Sequence, residues 1–120
     1  MPVPNSKLDS IRTQVGEALL SRMIANFAGR AEEMTRSLRA AHEAGDLIRL
    51  EHHAHKIVSA AGALGGEQVS KLGKWVQDHA IRGQHEELSR AVPAMIEAIQ
   101  VFTTELTEAE GTRRRQNAHP

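Results

Sequence analysis

Three of the chain's seven histidines fall within four residues of one another, at His52, His53 and His55. They belong to the run Glu51-His52-His53-Ala54-His55-Lys56-Ile57-Val58-Ser59-Ala60-Ala61-Gly62-Ala63-Leu64-Gly65. Imidazole has an ordinary pKa of about 6.5, so near neutral pH it offers an uncharged nucleophilic nitrogen. If the run is helical, His55 stands one position off the apolar stripe marked by Ala54 and Ile57. Its side-chain neighbours are then Glu51, His52, Val58 and Ser59, three and four positions away. Gly62 continues the same line, so small groups, Ser59 and Gly62, clear the C-terminal side of the ring. A bulky partner can then reach His55, as an in-line transfer from another protein requires. For a single histidine beside a helix stripe, plain solvent exposure is the common alternative, and geometry alone does not displace it.

Metal binding is a second chemistry to weigh. His52 and His55 are spaced i and i+3, but zinc needs about four converging ligands, and di-iron bundles use Glu-x-x-His on two helices. Neither pattern is present. His42, His79, His85 and His119 are scattered along the chain.

The elements that must position His55 follow from apolar periodicity. Residues 1–5 read as a flexible lead-in, and Asn5 or Ser6 caps a short helix reaching Val15. Gly16 marks a break. Leu20, Ile24, Phe27, Ala31, Met34, Leu38 and Ala41 then form one helical stripe that passes through Gly29. Gly45-Asp46 pairs a good C′ residue with a good N-cap, and so short a link makes its neighbours antiparallel. The His55 helix carries Leu47, Leu50, Ala54, Ile57, Ala61 and Leu64 and ends at Gly65-Gly66. The next begins near Glu67, buries Val69, Leu72, Gly73, Val76 and Ala80, and stops at Gly83. Trp75 flanks that stripe and is expected to pack at a helix seam. The last stripe is Leu88, Val92, Met95, Ile99, Phe102 and Leu106. Pro93 lies inside it, where a kink or a restart is expected. The expected fold is all-α: an antiparallel up-down-up-down four-helix bundle with a short extra N-terminal helix, spanning residues 6–108. Residues 109–120, with Arg113-Arg114-Arg115, lack apolar periodicity and read as a disordered basic tail.

Composition removes several function classes. The 120 residues carry 15 Lys and Arg against 15 Asp and Glu, so the basic excess of a nucleic-acid binder is missing. There is no cysteine, hence no disulfide scaffold or thiol chemistry. The first ten residues hold no apolar signal segment, and no run is long enough to span a membrane. A cytoplasmic monomer that binds neither nucleic acid nor membrane is the expectation.

Ala54-His55-Lys56-Ile57-Val58-Ser59 followed by Leu64-Gly65 resembles the signature of histidine-containing phosphotransfer (HPt) domains. There the active histidine is followed by an aliphatic residue at plus two, Lys at plus three, Gly at plus four, and Leu-Gly at plus nine and ten. Ile57, Leu64 and Gly65 match, Ala54 matches the usual small residue before the histidine, and Ala44-Gly45-Asp46 falls where the family's helix junction does. The similarity spans residues 9 to 107. It implies that His55 is phosphorylated by an aspartyl-phosphate receiver domain and passes the group to a receiver, or back. The partners implied are response-regulator receivers, a hybrid histidine kinase, or both. The domain would be a phosphocarrier and not an enzyme, with no ATP site and no cofactor of its own, Mg2+ being supplied by the receiver. The absence of a GxxxxGK[ST] loop agrees.

Two positions depart from the family. Val58 replaces the lysine that normally offsets the phosphohistidine's charge, and Ser59 replaces the glycine. Lys56 cannot substitute, because adjacent helical residues point about 100° apart. His52, Lys71 and Lys74 are the candidate replacements, and the Ser59 hydroxyl is able to bond a phosphoryl oxygen. The same departures motivate the alternative of a degenerate HPt-like bundle that binds proteins without transferring phosphate.

Overall fold

A computed structural model describes residues 5–117, with side chains from Lys7 to Arg115. Among these residues the chain is all-helical, with α1 at Asn5–Val15, α2 at Glu17–Glu43, α3 at Leu47–Gly62, α4 at Glu67–Ile81 and α5 at His85–Asn117. No helix among them is long and apolar enough to cross a membrane. Residues 1–4 of the expected lead-in, and His119, lie outside the described part.

The breaks have local causes. Gly16 takes φ 88°, which an L side chain resists, so α1 ends there and α2 starts in a new direction. At the α2–α3 link Gly45 also has positive φ, and the Asp46 carboxylate accepts a hydrogen bond from the Arg49 amide at 3.0 Å. That bond satisfies one of the orphan N–H groups of α3.

The four long helices close into a ring: α3 packs on α4, α4 on α5, α5 on α2 and α2 on α3, while α1 lies on α2. The molecule is a rod of 55 × 22 × 22 Å. Its core is the set of stripes read above. Leu20, Leu38, Leu50, Leu64, Val69, Val76, Leu88, Val92, Met95, Ile99 and Leu106 are all essentially inaccessible to water. Phe27 and Phe102 meet edge to face at 5.4 Å between α2 and α5. Trp75 is half-buried against the core, its ring edge-on to His79.

Of the two outcomes expected at Pro93, the restart does not occur: α5 runs through it unbroken. Pro93 and Ser89 are both exposed, so the Ser89 carbonyl that loses its amide partner stands on the solvent side. Nor does the ordered chain end at 108, since α5 continues to Asn117. The polar segment is held by ion pairs where apolar contacts are few. Glu110 is buried, accepts from Ser21 at 2.7 Å and pairs with Arg113, and Arg113 also reaches Glu17 and donates to Ser21 at 2.8 Å. Only residues 118–120 of the expected tail fall outside the described part.

Candidate functional site

His55 lies at mid-length of α3 on its solvent side, one position past the fully buried Ala54. Its ring is exposed, and among the described residues its one hydrogen-bond partner is Gln77 of α4, whose amide nitrogen lies 3.2 Å from Nδ1. The same amide nitrogen donates to Glu51 Oε1 at 3.4 Å, one turn before His55. One glutamine thus ties the ring to its own helix and to the neighbouring one. Nδ1 faces α4, and among the described residues Nε2 has no hydrogen-bond partner.

The helix register explains this meeting. His55 opposes Gln77, Val58 opposes Gly73, and Gly62 opposes Ser70. The numbers rise on one helix as they fall on the other, so α3 and α4 are antiparallel. A β-carbon placed on Gly73 would overlap Val58 Cγ2 and stand 3.0 Å from Met95 Cε. Glycine is therefore what lets α3 approach α4 here, with the Val58 side chain filling the notch. Val58 is half-buried in the helix seam, so it is more a packing residue than a surface one.

The other expected site residues distribute as follows. Ser59, Gly62 and His52 are exposed on the same side of α3 as His55. Lys71 and Lys74 are exposed on α4 and line one open depression with Gly62, Gly65, Gly66 and Ser70. Lys74 lies one turn from Gln77, so its ammonium is the lysine nearest to His55 along α4. Lys56 lies on the opposite flank of α3, in a groove with Arg30, Glu33 and His53. His53 shares that groove; burial, then the charges of His52, Lys56 and Arg49, hold its pKa below the usual value against the opposing pull of Asp46. Among the described residues no three of His, Cys, Asp and Glu converge as a metal site would need.

Gln77 was not legible from the motif because it lies 22 residues away on another element. A usable signal was present. A tight antiparallel turn through Gly65-Gly66 pairs α3 with α4 in reverse order, which brings the α4 residues around 77 opposite His55.

The sequence model described as "Hpt domain" matches residues 22–110. Among solved structures, histidine-containing phosphotransfer protein B from Pseudomonas aeruginosa PAO1 superposes with a TM-score of 0.80 at 22% identity, covering 98% of this chain and 96% of that one. At that identity the likeness speaks to the fold. No curated protein matches.

Proposed function

The chain belongs to the Hpt domain family, and from that premise we propose that it is a phosphorelay intermediate carrying a phosphoryl group on His55 Nε2. The observation behind this reading is the exposed ring of His55, held at Nδ1 by Gln77 and unencumbered at Nε2. The frame is read as an up-down-up-down bundle of α2–α5 with α1 added at one end, working in the cytoplasm.

The chemistry balances without a base. The Nε2 lone pair of a neutral imidazole attacks the phosphorus of an aspartyl phosphate on a receiver domain, and the phosphorus–oxygen bond to the aspartate breaks. The carboxylate leaves, and phosphohistidine forms with its proton on Nδ1. Attack through Nε2 needs the tautomer with Nδ1–H, whose acceptor is the Gln77 side-chain carbonyl once the amide turns by 180° and gives up its bond to Glu51. Gln77 serves the other tautomer with its nitrogen, so one residue orients the ring in both states. Magnesium and most of the charge stabilisation belong to the receiver. The exposed Lys74 and Lys71, together with His52, are the groups placed to offset the phosphohistidine in place of the missing lysine at 58, and the Ser59 hydroxyl is a donor one turn away.

The reading is tested by transfer from 32P-labelled receivers. Wild-type chain accepts alkali-stable, acid-labile label. His55→Gln folds normally and accepts none, while His52→Ala and His53→Ala retain acceptance. Persistent label on the His55 variant refutes the assignment. A wild-type chain that binds receivers yet never takes label favours the non-transferring reading, which rests on Val58 and Ser59.

A further inference from the structure

Beside His55 the α3–α4 seam carries two exposed isoleucines among charged side chains such as Arg49, Asp78 and Arg82. Ile48 on α3 and Ile81 on α4 are 87% and 73% exposed, the two most exposed large hydrophobic side chains among the described residues. They are not scattered. Ile48 precedes His55 by seven residues, so it lies about 20° from it around α3 and about 10 Å along the axis. Ile81 follows Gln77 by four residues, about 6 Å along α4. Because Gln77 opposes His55 and the helices are antiparallel, both steps lead toward the same end of the seam. Neither burial nor helix propensity accounts for isoleucine at such positions, since β-branched residues lose rotamer freedom in a helix. In the opposite direction from His55 the same seam is polar and cationic, with Ser59, Gly62, Lys74 and Lys71.

We propose that Ile48 and Ile81 are the apolar anchor of the receiver-docking surface, and that the lysine end meets the receiver's acidic phosphorylation pocket. This rests on the reading of His55 as the phosphoryl carrier. A protein that brings an aspartyl phosphate to Nε2 must cover the ring. A standard interface takes about 800 Å2 from each partner, a disc of roughly 16 Å radius. Centred on His55, that disc takes in both isoleucines and both lysines. The occupant is therefore a receiver with an apolar side chain on one flank of its aspartate and carboxylates around it. Its acidic surface around the aspartate supplies the charge complementary to Lys71 and Lys74. The polarity of the seam fixes the orientation of the bound receiver, so the isoleucine end selects among receivers and the lysine end steers approach.

The test uses the full chain, purified receiver domains from the source genome phosphorylated with acetyl phosphate, and phosphoramidate as a small donor that needs no docking surface. Ile48→Gln/Ile81→Gln is expected to take label from phosphoramidate at the wild-type rate. Its KM for the phosphorylated receiver should rise roughly tenfold or more with kcat little changed. Val101→Gln, an exposed hydrophobic position on α5, should leave both unchanged. Lys71→Gln/Lys74→Gln should lose receiver affinity by a factor that shrinks with added salt, whereas the isoleucine loss persists. Wild-type receiver affinity in the isoleucine double variant overturns the proposal, as does a wild-type chain that binds no receiver. If the wild type binds a receiver and the double variant does not, yet His55 takes label from neither donor, the docking surface stands and the phosphotransfer reading falls.

Discussion

In the proposed role His55 needs one ring nitrogen held and the other free, and Gln77 is the side chain that holds Nδ1. Removing it frees the ring to turn about its side-chain bonds. Gln77→Ala is expected to slow transfer from a receiver by roughly ten- to a hundredfold while leaving folding stability within about 0.5 kcal/mol. Stopped transfer assays and thermal melts check the two halves. Val58 lets the missing lysine be restored. Its aliphatic part sits in the Gly73 notch, and a lysine stem occupies similar space with its ammonium reaching solvent. Val58→Lys should raise the phosphorylated fraction at equilibrium with one receiver a few-fold, consistent with a charge pair worth about 0.2–1 kcal/mol. The gain should shrink with added salt. No change in that fraction would mean that Lys74, Lys71 or His52 already supplies the charge. At this scale the sequence offered His55 as the candidate nucleophile, because the residue types and the Leu64-Gly65 spacing resemble the family's signature. It did not disclose the partner, because hydrogen bonds between helices leave no local pattern.

Among the helices, the α3–α4 seam carries the candidate site, and its closeness depends on Gly73 facing Val58. Gly73→Ala should destabilise the fold by about 1–3 kcal/mol through overpacking against Val58 and Met95. It should also slow transfer, because widening the seam moves Gln77 away from His55. Combining it with Val58→Ala removes the side chain that the new methyl meets. The pair should recover part of both losses, a coupling read from denaturation midpoints of the four proteins in the cycle. Stripes of apolar residues were readable for every long helix because burial enforces a period of 3.6. The end of α5 was not readable, since beyond Leu106, among the described residues, one apolar side chain, Ala109, packs on the core and the attachment to α2 runs through Glu110 and Arg113. Whether the helix restarts at Pro93 was left open by the sequence, because it depends on solvent reaching Ser89 and Pro93, which removes much of the cost that makes proline a helix breaker.

Across the whole molecule, the far end of the rod is tied by Glu110, Arg113, Ser21 and Glu17, which join α5 to α2, and Arg12 of α1 pairs with Glu17 at 3.9 Å. Burial by itself pushes the Glu110 carboxyl up. Hydrogen bonds from Arg113 and Ser21 and the charges of Arg113 and Arg114 outweigh it, and the group sits below its usual range. A carboxyl whose folded pKa is depressed adds stability above its unfolded value of about 4.3, and that stability is lost as pH falls through the folded value. Glu110→Gln should therefore cost about 1–3 kcal/mol at pH 7. The difference from wild type should narrow below about pH 4, as measured by urea unfolding across pH. Transfer at His55 should not change, because Glu110 lies at the α1–α2–α5 end and not on the α3–α4 seam. Equal destabilisation at every pH would show that the carboxylate's charge is not what holds the helix end.

The central claim is a phosphoryl group on Nε2 of His55. The most direct measurement is NMR of the 15N-histidine-labelled chain after transfer from a phosphorylated receiver, reading which imidazole nitrogen couples to 31P. The predicted result is one coupled nitrogen, Nε2 of His55, absent from His55→Gln. Coupling at Nδ1, at His52 or at His53, or phosphate found only on a carboxylate, would contradict it.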